Sequence, residues 1–255
     1  MSEVLLTKGI EFAAAHRYVR EEWSEARNRE VFGACYNDPG HGHNYFLEVT
    51  VAGEVDRQTG MVVNLYDLKI VLKQVLEEFD HKHLNLDTPY FKDRIPTTEN
   101  IARVLWRCLE RHRNIGRLHR VKLIEDEDLA AVVRGSRGLD RAAVTRRYSV
   151  LWEAGRSRRS ARHDPRAYDY DLFITLEGAI DEATGMVTDL RRLDQLVQEQ
   201  ALPGFRSAPP SMTGEQLAQR AWQLLAPHLT GARLELVRLV ESRDLFYEYS
   251  GNGPV

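Results

Sequence analysis

The sequence predicts an α+β fold built twice over, and two observations carry that expectation. The segment GEVDRQTGMVVNL (53–65) returns without a gap as GAIDEATGMVTDL (178–190), with Gly, Asp, Thr-Gly-Met-Val and Leu at identical spacing. Around it, each half reads strand, strand, helix, helix, strand, strand. A period of more than about 100 residues marks duplicated domains, because solenoid repeats are only roughly 20–50 residues long.

The elements follow in order. LLTKGIEFAAA opens the first half and AAVTRRYSVLW the second, each an extended run. Alternating strands come next, NYFLEVTVAG (44–53) and YDYDLFITLEG (168–178). Leu68, Val71, Leu72, Val75, Leu76 and Phe79 then fall on one helical face, and Ile101, Val104, Leu105, Cys108 and Leu109 form a second stripe. The second half answers with Leu190, Leu193 and Val197, then Leu217, Ala221, Leu224 and Leu225, with Thr213 and Gln216 placed to form a capping box. Each half closes on two short extended runs, VKLIE (121–125) with LAAVV (129–133) and LELVRLVE (234–241) with LFYEYS (245–250). The polar, glycine-bearing segment GSRGLDR (135–141) divides a domain over 1–135 from a repeat over 142–255. Such an order implies an antiparallel sheet with both helices on one face. Its unpaired edges predict sideways association of subunits.

Composition narrows the function. The chain has 255 residues, 43% hydrophobic and 29% charged, as a globular protein would. A formal charge of −3 supplies no basic field, which argues against nucleic acid as a partner. No stretch approaches the roughly 18 uninterrupted apolar residues of a membrane span. MSEVLLTKGIEF lacks the basic and apolar regions of a secretory signal, and Cys35 and Cys108 alone make no disulfide framework. A cytoplasmic location is expected.

Three histidines of the first half stand where a metal site needs them. His41 and His43 flank Gly42 at the start of a strand, so both imidazoles point to one face and the glycine leaves the approach open. His16 ends the first strand, which pairs with the second and can supply a third ligand. Three nitrogens with an open fourth position describe a catalytic zinc site. Cys35 lies six residues before His41 on a loop reaching back over that site. A thiol beside a metal cation has its pKa lowered and can act as a thiolate base. Asp80 stands next to His81, the pairing in which a carboxylate orients an imidazole.

FAAAH, FGACYNDPGHGHNY, TGMVVNLYDLK, FDHKHLNLDTPYF, PTTENIARVLW and VKLIED, in order and at family spacing, resemble the 6-pyruvoyl-tetrahydropterin synthases over about residues 5–135. The resemblance implies two tandem tunnelling-fold domains whose sheets join edge to edge into barrels. It implies conversion of 7,8-dihydroneopterin triphosphate to 6-pyruvoyl-tetrahydropterin with loss of triphosphate. Carried over by motif, His16, His41 and His43 hold Zn2+, Cys35 is the general base, and Asp80 with His81 relays the proton. Glu125 anchors the pterin ring, and Thr98 with Glu99 matches the family's Thr-Glu near the pterin. Asp126 departs from the family, which usually has threonine after the anchoring glutamate. The related 6-carboxytetrahydropterin synthases usually have a shorter loop between the cysteine and the histidines, and a product of that type or a side-chain-cleaved pterin is the alternative. The reading from another class is a non-catalytic pterin-binding assembly module. Two stacked rings of three domains, the arrangement the family implies, make a homotrimer the expected assembly of a two-domain chain. Asp80 and His81 are then expected to act on a zinc held by a neighbouring chain.

The second half has lost the ligands. Arg166 and Tyr168 occupy the places of His41 and His43, the His16 position falls near Gly155, and no Asp-His pair recurs around ALPGFR (201–206). Glu241 and Glu215 remain at the places of Glu125 and Glu99, either as relics or as the rim of a metal-free pocket. The basic run RSRRSARHDPR (156–166) is expected to be solvated, with a triphosphate as a possible partner.

Overall fold

A computed structural model describes residues 3–154 and 166–251. The arginine-rich segment 156–166 lies outside the described residues, apart from the backbone of Arg166. The chain divides into two compact units, one of residues 1–144 with 179–187, the other of 145–178 with 188–255.

Unit 1 is a five-stranded sheet covered by helices. Its strands are β1 (Val4–His16), β2 (His41–Gly53), β3 (Lys82–His83), β4 (Arg117–Ile124) and β5 (Leu129–Arg134). They lie in the order β3-β1-β2-β4-β5, antiparallel except where β3 runs parallel to β1 at Ala14 and Ala15. The helices are α1 (Glu25–Phe32), α2 (Leu65–Leu76), the single turn α3 (Leu84–Asp87) and α4 (Thr98–Leu109). Leu47, Val49 and Val51 of β2 and Val121 and Leu123 of β4 are wholly buried, as are Leu68 and Leu72 of α2 and Ile101 and Leu105 of α4. Each such side chain contributes roughly 1.5–3 kcal/mol relative to exposure. Capping starts both long helices, Asn64 accepting from the Tyr66 amide and Thr97 from the Asn100 amide.

Unit 2 carries β6 (Arg141–Ala154), β7 (Arg166–Ala179), β8 (Ala232–Ser242) and β9 (Leu245–Tyr249), in that order, with α5 (Leu190–Leu196), a π-helical turn, α6 (Leu202–Arg206) and α7 (Gly214–Leu225). The capping box of Thr213 and Gln216 opens α7. Details repeat as well as elements. A bulge interrupts the ladder at Thr50/Val51 in unit 1 and at the corresponding Thr175/Leu176 in unit 2. Thr7 and Thr50 hydroxyls meet at 2.8 Å, and Thr145 and Thr175 repeat the contact at 2.9 Å. Two sequences of different composition fold to the same irregularity because the same backbone positions need it.

Candidate metal centre

The register of β1 on β2 sets His16 opposite His41, Ala14 opposite His43 and Phe12 opposite Tyr45. Alternate residues of a strand share a face, so three imidazoles and a phenol line one side of this two-strand corner. Ring centroids of His16, His41 and His43 lie 4.7–5.0 Å apart. The Nε2 atoms of His16 and His41 approach to 3.2 Å. Glu125, directly after the Phe46–Ile124 pair, brings its Oε1 to 3.4 Å from His43 Nε2. One donor atom from each of His16, His41, His43 and Glu125 lies within 4.8 Å of the others.

Protonation follows from the surroundings. His16 Nδ1 lies 3.0 Å from the Pro96 carbonyl and 3.1 Å from the Tyr45 hydroxyl. A carbonyl only accepts, so Nδ1 carries the proton and Nε2 presents its lone pair to the cluster. Burial, with His43 and His41 adding to it, pushes the His16 pKa down to about 3. Burial likewise lowers His41 and His43. Near neutral pH these are neutral imidazoles, the form that ligates a metal. His43 Nε2 is buried without a hydrogen-bond partner, and converging lone pairs repel unless a cation lies among them. Three imidazole nitrogens and a carboxylate oxygen therefore fit a divalent transition metal.

A pH dependence follows. His16 is neutral when folded down to a pKa of about 3, but its unfolded pKa is ordinary, about 6.5. Between those values the unfolded chain binds the extra proton, so stability is full above about pH 6.5 and falls as pH drops. For metal-free protein the loss due to His16 should approach about 1.4 kcal/mol per pH unit below pH 6. Denaturant titrations at pH 7 and pH 5, compared with His16→Gln, measure it. Equal slopes for the two proteins would contradict the assignment.

The other site residues lie around this cluster. Cys35 sits in the 3₁₀ turn Gly33–Tyr36, its carbonyl accepting from the Tyr18 amide at 2.8 Å. Its side chain packs against the cluster of Tyr18, Phe32, Ile95 and Met186. Tyr18 in turn meets His16 edge-on at 4.9 Å. Thr98 donates to Glu125 Oε2, fixing the carboxylate whose other oxygen faces His43. Glu99 is buried and accepts from the Val187 amide at 3.0 Å, and burial raises its pKa. Asp80 and His81 are not among the four converging groups. Asp80 accepts from the Ala13 amide at 2.8 Å and holds His81 Nδ1 at 3.0 Å, while the imidazole is 82% exposed. The Ala13 amide is the main reason that the Asp80 carboxyl titrates below the usual range. His81 has φ 57°, a left-handed conformation costing a non-glycine residue roughly 1–3 kcal/mol, and its amide donates to the Ala13 carbonyl.

One expectation needs correction. Gly42 does not clear the approach, since a Cβ there would make only ordinary contact with Ala14 and Ala15. Gly40 is the constrained glycine, with φ 112° and a Cβ position 2.3 Å from the His16 carbonyl oxygen. Sequence reasoning also passed over Tyr45 and the Pro96 carbonyl, which orient His16. The two-residue period from His41 through His43 points to Tyr45, whereas nothing local marks Pro96. Met186 could not be anticipated, because it comes from the second copy of the repeat.

In unit 2 aromatic rings line the matching strands, with Tyr168 at the place of His43 and Tyr170 at that of Tyr45. Trp152, Tyr168 and Tyr170 have ring centroids 5.8–6.5 Å apart. Glu241 accepts from the Tyr247 hydroxyl at 2.8 Å. The Tyr247 ring fills the space beside Gly214, which stands where unit 1 has Thr98, and a Cβ there would lie 2.0 Å from it. Tyr247 thus holds one oxygen of Glu241 as Thr98 holds one of Glu125, but Glu241 is half-buried where Glu125 is buried. Among the described residues, no second group like that around His16 occurs. No helix among them is long and apolar enough to cross a membrane.

Comparison with known proteins places this geometry. The family model described as 6-pyruvoyl tetrahydropterin synthase matches residues 5–136 and again 151–252. The 6-pyruvoyl tetrahydrobiopterin synthase of Pongo abelii is 43% identical over 131 residues, 51% of this chain and 90% of the relative. That of Homo sapiens is 42% identical over the same length and shares. The solved Caenorhabditis elegans 6-pyruvoyl tetrahydropterin synthase superposes with a TM-score of 0.50 at 36% identity, over 53% of this chain and 97% of that one.

Proposed function

Because the chain belongs to the 6-pyruvoyl tetrahydropterin synthase family, with both halves matched, we propose that it is a zinc-dependent carbon–oxygen lyase. Its substrate is 7,8-dihydroneopterin triphosphate and its products are 6-pyruvoyl-tetrahydropterin and triphosphate. The observation that carries this reading is the convergence of His16, His41, His43 and Glu125 within 4.8 Å, inside the first matched segment, residues 5–136. Residues 1–135 hold the chemistry, and 142–255 form a scaffold in which Tyr247 donates a hydrogen bond to Glu241.

His16, His41 and His43 hold the zinc, which when bound supplies a Lewis acid for the oxygens of the substrate side chain. Cys35 removes a carbon-bound proton, and Asp80 with His81 carries protons to and from the reacting side chain. Glu125, steadied by Thr98, accepts from the amino group and ring N–H of the pterin, with Glu99 beside it. A second reading makes Glu125 a fourth metal ligand, favoured by its 3.4 Å approach to His43 Nε2. Glu125→Gln separates the two: the anchoring role predicts unchanged metal content and a KM raised by about tenfold or more, the cost of one charge-assisted hydrogen bond. Loss of metal from that variant favours ligation.

A homotrimer belongs to the same proposal, supported by the outer edge of β1. Among the described residues β3 pairs with β1 only at Ala14 and Ala15, and Val4 and Leu5 are 41% and 53% exposed. A cytoplasmic location is likewise proposed, supported by two cysteines outside any disulfide. Incubation of zinc-loaded protein with the triphosphate, followed by mass spectrometry, tests the function. The pyruvoyl product supports it, a 6-carboxy or side-chain-cleaved product moves it to the alternative, and unchanged substrate leaves a pterin-binding module.

A further inference from the structure

The duplicated loop exists in two copies of one conformation, and among the described residues only one copy is docked. In residues 181–187 the Asp181 carboxylate accepts from the Thr184 amide and hydroxyl at 2.8 and 3.0 Å, and the Gly185 amide donates to the Asp181 carbonyl at 2.7 Å. In residues 56–62 the Asp56 carboxylate accepts from the Thr59 amide and hydroxyl at 2.8 and 2.9 Å, and the Gly60 amide donates to the Asp56 carbonyl at 2.8 Å. Gly185 and Gly60 have φ 76° and 69°. Both loops are thus preformed by their own sequence.

Their surroundings differ. The 181–187 loop is part of unit 1, seated on the first turn of α4. Thr97 donates its hydroxyl proton to the Gly185 carbonyl, Glu99 accepts the Val187 amide at 3.0 Å, and Arg103 pairs with Glu182 at 2.8 Å. Met186 is 7% exposed and Ile180 5%. The matching Met61 and Val55 are both 46% exposed, and a Cβ on Gly60 would meet nothing within 4 Å. Leu65 and Tyr66, next along the chain, are 53% and 70% exposed. An isolated apolar side chain at a surface is ordinary, but two on a preformed loop with two more at the adjoining start of α2 mark an interaction surface.

The complement of that loop is also present twice. Thr213, Glu215 and Gln219 of α7 occupy the places that Thr97, Glu99 and Arg103 hold on α4, and all three are exposed. We propose that the 55–62 loop of one copy docks on the first turn of α7 of a second copy. The Thr213 hydroxyl donates to the Gly60 carbonyl, Glu215 accepts the Val62 amide, and Gln219 accepts from Arg57. The contact is heterologous, one surface meeting a different one, so it propagates head to tail, and a rotation that closes makes it a ring. This deepens the homo-oligomer part of the proposal above and is independent of the chemistry at His16.

Light scattering on full-length wild type, Met61→Asp and Glu215→Arg tests it, with circular dichroism confirming that each variant is folded. Both positions are exposed, so the folded state should survive. Wild type should be oligomeric and each variant monomeric. Mixing the variants leaves one intact loop and one intact acceptor, so a 1:1 dimer should form. A monomeric wild type, variants that keep the wild-type mass, or a mixture that stays monomeric overturns the docking. An oligomer of more or fewer than three chains that both variants break overturns the homotrimer and supports the docking.

Discussion

Cys35→Ala is expected to leave the metal content unchanged and to lower turnover by a factor on the order of 10² or more, the usual worth of a positioned base. The cysteine is no part of the four converging donors, so its removal takes nothing from the metal. Its side chain lies in a cluster with Tyr18 and Met186, and Tyr18 touches the His16 ring, which puts the thiol at the wall of the same site. Loss of one half-buried sulfur leaves the surrounding aromatic packing of Phe32 and Trp23 in place. Stopped assays of pterin product together with elemental analysis check both halves of the statement. Near-wild-type turnover would remove Cys35 from the role of base.

His41→Ala should have the larger effect. Loss of an outer hydrogen-bond partner typically costs roughly 10–100-fold in metal affinity or activity, and loss of a ligand should exceed that. His41 is also less buried than His16, so its replacement leaves the β1–β2 corner intact. The fold of His41→Ala should therefore match wild type by circular dichroism while bound metal and activity fall together. Retention of stoichiometric metal would show that His41 is no ligand.

How much of this was legible in the sequence depends on the range of the interaction. The two-residue period of His41, His43 and Tyr45 and the three- and four-residue spacing of the helix stripes are local. The predicted stripe of α2 is its buried face, whereas α4 is buried on nearly every side and also hides Glu99, Arg103 and Trp106. The duplication was visible because loop 53–65 and loop 178–190 satisfy the same internal hydrogen bonds. Helix α1 was missed: EARNREVF buries only Asn28 and Phe32, too little for a periodic stripe. The seating of 181–187 on α4 was beyond reach, since partners such as Glu99 and Val187 are far apart in sequence and either loop copy could have filled that place. The hydrogen bond from Tyr247 to Glu241 was hidden for a related reason. Spacing shows that the carboxylate persists, but not which side chain fills the room that Thr98 becoming Gly214 leaves open.

The claim at the centre of this account is that two matched repeats share a fold while one alone holds a metal. Elemental analysis of zinc-replete, exhaustively desalted protein measures it directly. One zinc per chain is the predicted result, falling to none in His41→Ala. Two zincs per chain, or none in the wild type, would contradict it.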